Sequence, residues 1–235
     1  MRPLRWLPAR RVELLVALLL TLGCFALAGY LHGRNSDAEV LLVILVTLEI
    51  IVPLAMGVLS AGLLAGDPAL DILLSAHRPA WQTLLERLLF IGYLGVLLSC
   101  IALALAAYWD LPLPKEGSQA IFIWLSPMVF YMGLSSVAAL LRGRMLDGAV
   151  AALGIMGISL MIVMQIPQLC TGNAPGYPCI AWLASPMMTL GNPGDAFWPL
   201  NRLIWLFIGF ALLGLSLKLA CREEPLLHEL SKEAG

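Results

Sequence analysis

Charge is scarce in this sequence. Asp, Glu, Lys and Arg make up 12% of its 235 residues and the net charge is −1, against about 25% charged residues in a soluble domain. A chain this poor in basic residues carries no electrostatic footprint for nucleic acid. No polar run is long enough for a separate soluble domain, so a single membrane domain over 1–235 is expected. Catalytic patterns are missing as well. His32, His77 and His228 all fall in loops or the tail, and no His, Cys, Asp or Glu group has metal-ligand spacing. No serine in a Gly-x-Ser-Gly context stands opposite a membrane histidine, as an intramembrane serine protease requires. No paired acidic motif suggests a phosphotransferase, and the phosphate-cradling pattern Gly-x4-Gly-Lys-Ser/Thr does not occur. The expectation is a chain that is not an enzyme and holds no metal or cofactor. If ATP drives it, another subunit binds the ATP and magnesium.

Apolar residues are what the chain has instead. They make up 60% of it, with a mean hydropathy of +0.90, which points to an all-α polytopic membrane protein. Hydropathy places six spans at about 12–31, 40–64, 88–109, 119–141, 149–169 and 203–220. Ala26-Leu27-Ala28 and Leu22-Gly23-Cys24 bear some likeness to processing sites. The first apolar run is nevertheless about 20 residues long, beyond the roughly 7–15 of a signal sequence, and reads as a retained span. Tyr108-Trp109 ends the third span as an aromatic belt. Arg142 to Gly148 reads as a tight basic loop, and Cys221 to Gly235 as a charged tail.

Charge asymmetry orients these spans. Arg2, Arg5, Arg10, Arg11, Arg78, Arg87, Arg142, Arg144, Lys218, Arg222 and Lys232 fall on the side of the N-terminus, whereas only Arg34, Lys115 and Arg202 fall on the other. The positive side is the cytoplasmic one. Both termini and the loop from Gly62 to Arg87 are therefore expected in the cytoplasm, in a bacterial inner membrane.

Three stretches carry candidate function. The first is Glu49, a lone carboxylate about 9 residues into the second span and so roughly 13 Å deep. It can serve a substrate pathway or a proton site, or it can hold two helices together. The second is the loop from Cys170 to Asn201. Within it Ile180 to Leu190 is apolar but only about half the roughly 20 residues needed to cross, and Gly and Pro flank it. A re-entrant or interfacial hairpin is expected there. Cys170 and Cys179 lie in the same loop and on an oxidising face could pair; two free thiols are the other reading. Cys24 and Cys100 read as packing residues. Gly154, Gly157 and Ser159 give the fifth span a small face for close helix packing, and Met156, Met161 and Met164 add a soft, adaptable surface or simply face lipid. Pro53 and Pro127 are expected to kink their helices.

The third stretch is the Gly62–Arg87 loop. Asp67-Pro68 opens a helix, with Asp67 as N-cap and Pro68 at the first helical position. Asp71 sits in the first turn, where the helix dipole favours a carboxylate. Leu70, Ile72, Leu73 and Leu74 give it an apolar side. Pro79 starts a second helix with Trp81, Leu84, Leu85 and Leu88 at helical spacing, its face broken at Glu86-Arg87. A short amphipathic helix on the membrane surface between two spans suits the docking of a partner.

The segment Ser60 to Pro79 resembles the cytoplasmic loop of ABC-2-type transporter permeases. Leu73-Leu74-Ser75 and Pro79 keep the Leu-Leu-Ser-x-Pro pattern with two extra residues before the proline, and Asp67-Pro-Ala-Leu-Asp71 stands where the family carries Gly-Thr-Leu-Glu. The basic loop after the fourth span and Ser185-Pro186 before the last also look like this family. The resemblance implies six spans that pair with a second permease copy, with ATP hydrolysed by a separate cytoplasmic subunit. It implies that Asp67 to Ser75 is a coupling helix docking on that subunit, with Leu70, Leu73 and Leu74 as anchors and Arg78 beside them. It also implies short re-entrant helices before the last span, and export of lipids, glycans, peptides or drugs. Two other readings stand beside it: an ion- or proton-coupled transporter using Glu49, and a non-transporting subunit of a membrane complex.

Overall fold

The computed structural model describes residues 11–34, 36–64, 80–113, 119–170, 185–187, 189 and 197–233. The expected coupling helix with Asp67, Leu70, Asp71, Leu73, Leu74 and Arg78 lies outside them, as do Cys179, most of Ile180–Leu190 and the side chain of Cys170.

All secondary structure among the described residues is helical. The elements are α1 (Arg11–His32), α2 (Asp37–Val46), a π-helical turn (Thr47–Ile51), α3 (Val52–Leu64), α4 (Ala80–Tyr108), α5 (Gln119–Arg142), α6 (Met145–Cys170) and α7 (Trp198–Glu233). α2, the π turn and α3 form one continuous rod. Six helices are thus long and apolar enough to cross a membrane. The physical reason is general: a chain in hydrocarbon must satisfy every backbone group internally, and the helix does so within one segment. The chain is an integral membrane protein.

Two helix starts differ from the hydropathy reading. The third span begins at Trp81 rather than at about 88, and the sixth at Trp198 rather than at 203. In both cases an arginine had marked a boundary. Arg87 and Arg202 instead lie inside their helices with 3% and 1% of their surface exposed. Helix geometry is indifferent to a charged side chain; only its surroundings decide whether it can be buried. The Arg142–Gly148 loop shrinks to Gly143-Arg144, with Gly143 at φ 66°, a left-handed turn that glycine adopts without strain. The expected tail continues α7 as helix through Glu233.

α5 is the centre of the bundle, with 78% of its spanning window buried, against 11% for α7 and 17% each for α1 and α6. It packs against α3, α6 and α7. Glycine makes these contacts close. A Cβ at Gly133 would lie 2.7 Å from the Gly209 carbonyl oxygen, and one at Gly209 2.6 Å from the Phe130 nitrogen, so the α5 and α7 backbones touch. Gly148 meets the Ser135 carbonyl in the same way, and Gly57 meets Tyr131. Close approach at small residues is how helices pack where no hydrophobic effect drives them together.

The small face expected on the fifth span is corrected in part. Ser159 is buried, but Gly154 and Gly157 have nothing within 4 Å. Gly148, Ala152 and Ser159 share the inward side of α6 at steps of four and seven, and Gly154 and Gly157 are rotated away from it. Met161 and Met164 are exposed as expected, whereas Met156 packs against a buried cluster with Phe130, Tyr131 and Met187. Cys24 is half-buried, whereas Cys100 is exposed and not the buried packing residue expected. At the end of α4, Trp109 stacks on His32 with centroids 5.0 Å apart, tying the α1–α2 turn to α4.

Candidate functional site

Glu49 sits 12 residues from Asp37 and 13 from Gly62, the ends of its spanning segment. That places it roughly 18 Å along the rod from either end. It lies in the π turn, whose wider ring is closed by the Val52 N–H donating to the Thr47 carbonyl. Pro53 explains the turn. Its ring would collide with the carbonyl four residues back, that of Glu49, and it has no N–H to offer. Widening the preceding turn by one residue relieves the clash. Proline and carboxylate thus act together: Pro53 shapes the backbone from which Glu49 projects inward, with 0% of its surface exposed.

Glu49 is met by an ion-pair partner from the last span. Arg202, four residues into α7, forms a direct ion pair from Nη2 to Glu49 Oε1. Its position is set by α5, where the Ser126 hydroxyl donates to the Arg202 carbonyl at 2.8 Å. The guanidinium also donates from Nη1 to the Pro186 carbonyl at 2.6 Å and from Nη2 to Thr189 Oγ1 at 2.5 Å. The Thr189 N–H donates to Glu49 Oε1 at 3.1 Å. Trp198 Nε1 donates to Thr189 Oγ1 at 3.0 Å, and its ring lies 5.4 Å from the Arg202 guanidinium carbon. Asn201 Nδ2 donates to the Ser185 carbonyl at 2.8 Å. Every one of these residues is buried.

The arrangement joins three parts of the chain: the middle of the second span, the start of the sixth, and the short stretch before the sixth represented by Ser185, Pro186, Met187 and Thr189. Two opposite charges neutralise each other out of water, the Thr189 N–H donates to the carboxylate, and the Pro186 carbonyl and Thr189 hydroxyl oxygens accept from the guanidinium. Such a pair earns its desolvation back only when its hydrogen bonding is complete. The Glu49–Arg202 pair comes near to this, with Arg202 Nε the one guanidinium nitrogen lacking a partner among the described residues. Chemically the cluster grips backbone: the carbonyls of Ser185, Pro186 and Arg202 are acceptors in it and the Thr189 N–H is a donor.

Of the residues singled out in the sequence, the structure brings Glu49 together with Ser185 and Pro186. It joins to them Arg202, Thr189, Trp198 and Asn201, which sequence reasoning did not single out. The signal for Arg202 was present: a lone carboxylate in the middle of a span calls for a cation, and Arg202 borders the last apolar run. The hydroxyls of Ser135 and Ser136 on α5 are also buried without a partner among the described residues, that of Ser135 at the Gly57 contact. No group of His, Cys, Asp and Glu among the described residues could hold a metal ion.

In comparisons with models of protein families, with curated proteins and with solved structures, nothing matched this chain.

Proposed function

We propose that this protein is the membrane permease subunit of an ATP-driven transporter, working as an exporter with a second permease copy and a separate cytoplasmic ATP-binding subunit. The observation that carries this reading is the seating of Ser185–Met187 and Thr189 against Glu49, halfway along the second span. Ser185–Met187 is not helical, and such backbone at membrane depth is tolerated where it is buried in protein or lines a pathway; transporters build their central sites from it. A re-entrant hairpin before the last span accounts for that depth. The resemblance of Ser60–Pro79 to the family's coupling loop supplies the second support; since the sequence lacks a nucleotide-binding pattern, ATP in this reading is bound by another chain. In this reading both termini face the cytoplasm of a bacterial inner membrane, and force enters through Asp67–Ser75.

The ion-coupled alternative would need Glu49 to exchange its partner for a proton or ion. Its carboxylate instead accepts from Arg202 and from the Thr189 N–H, which weighs toward a holding role.

A pull-down of the tagged protein in mild detergent tests the proposal. The expected result is a stoichiometric ATP-binding subunit that is lost in Leu74→Asp, with membrane insertion unchanged. A self-associated protein without an ATPase, or normal ATP-dependent transport in Leu74→Asp, overturns it.

A further inference from the structure

The bundle is held together in two unlike ways. Around α5 the spans meet backbone to backbone at Gly57, Gly133, Gly148 and Gly209, contacts that no rearrangement of side chains can loosen. The stretch before α7 is attached differently. Of its described residues only Met187 joins an apolar cluster. Its contacts with Glu49, Trp198, Asn201 and Arg202 are polar: the Pro186 carbonyl accepts from Arg202, the Thr189 hydroxyl oxygen from Arg202 and Trp198, and the Ser185 carbonyl from Asn201, while the Thr189 N–H donates to Glu49. Hydrogen bonds of this kind exchange with water at small net free energy, whereas apolar burial does not. A buried ion pair is moreover a poor choice for stability alone, since well-packed apolar residues of the same volume serve as well or better. Arg202 Nε, buried and without a partner among the described residues, holds hydrogen-bonding capacity that this state does not use and a hydrated one would.

We propose that the Glu49–Arg202 pair is a latch, and that Ser185–Met187 and Thr189 form a gate segment it releases. With the pair closed, the segment plugs the space between the second and sixth spans. With the pair broken, the segment lifts, Thr189 and Pro186 exchange their partners for water, and the interior beside Glu49 opens to the side of the membrane that carries Tyr108. This is a packing element with two arrangements, of the kind that switching proteins use. Its purpose rests on the transport reading above; its seating and release are properties of this chain alone.

The test reads solvent access directly. The five native cysteines are replaced and a single cysteine is placed at Met187, which is fully buried. A membrane-impermeant thiol reagent is added on the side that carries Tyr108, and Tyr108→Cys, at a position 81% exposed, is the fast-labelling reference. Met187→Cys is expected to label slowly in the parent and at least about tenfold faster with Glu49→Gln, since a shift in opening is read as a ratio of populations. The near-isosteric Thr189→Val, which keeps both charges, is expected to move labelling in the same direction by a smaller factor. Glu49→Arg with Arg202→Glu is expected to restore slow labelling. Unchanged labelling in both Glu49→Gln and Thr189→Val, in protein that still elutes as a single folded species, overturns the latch. If Glu49→Gln does not fold, Thr189→Val decides. Labelling requires no ATPase, so a latch that responds while no ATP-binding subunit is recovered leaves the gate standing and removes the exporter reading. The converse pair of results removes the gate alone.

Discussion

Replacing Arg202 with Met is expected to destabilise the folded protein by about 3–5 kcal/mol, because it leaves the Glu49 carboxylate buried without its counter-charge. Replacing Glu49 with Leu strands the guanidinium and is expected to do comparable damage. The informative variant is the double one. Glu49→Leu with Arg202→Met removes both charges and fills similar volume, so it is expected to be less damaging than the two single changes summed. The coupling expected for groups in direct contact is about 0.5–3 kcal/mol. The double change will still be weaker than the parent, since the Pro186 carbonyl and the Thr189 N–H lose their partners too. Unfolding of purified protein in mixed micelles, followed by helix content and tryptophan fluorescence, measures all four species. Strict additivity would mean that Glu49 and Arg202 do not meet in the membrane-embedded protein.

The second large effect concerns the seam between α5 and α7. Gly209→Ala is expected to destabilise the bundle by about 1–3 kcal/mol or more, as overpacking does in a well-packed core. The added methyl would sit 2.6 Å from the Phe130 nitrogen and 2.8 Å from the Val129 carbonyl carbon. Both neighbours are backbone, so no rotamer change relieves the contact and the two helices must part. Gly214, on the same helix, has nothing within 4 Å. Gly214→Ala is therefore expected to stay within about 0.5 kcal/mol of the parent, as changes away from packing features do. The comparison holds helix propensity constant and isolates the close approach. It also has a consequence for the site. Gly209 lies two turns from Arg202 on one face of α7, so a helix forced outward at Gly209 draws Arg202 away from Glu49. Faster labelling of a cysteine at Met187 in Gly209→Ala is the expected secondary result. Equal stability of Gly209→Ala and Gly214→Ala would mean that the α5–α7 approach is looser than described.

The two effects share a cause. In hydrocarbon, apolar side chains gain nothing by leaving lipid for protein, so position along and around the helix is set by close backbone contact and by polar groups that have nowhere else to go. Gly133 and Gly209 supply the first, and Glu49, Arg202 and Ser126 the second. Gly133 and Gly209 lie two turns along α5 and α7 from Ser126 and Arg202.

By itself the sequence determined that this chain belongs in a membrane, with six stretches long and apolar enough to cross it. An apolar stretch of about 20 residues is a local property, and the bilayer leaves the backbone within it one economical solution. The lone carboxylate at Glu49, and Pro53 beside it, could be read in the same way. What the sequence could not settle was anything that depends on a partner far along the chain. Arg202 read as a loop residue because the cost of burying a charge is set by what it meets, and its carboxylate stands 153 positions away. Gly154 and Gly157 read as a packing face, while the glycines that touch a neighbouring backbone are Gly57, Gly133, Gly148 and Gly209. A glycine's value at an interface depends on which side of its helix faces a neighbour, and hydropathy with so weak a polar pattern does not say which side that is. Only the tertiary structure decided that the carboxylate, the arginine and the stretch before the last span come together, because charge pairing and close approach act through space and not along the chain.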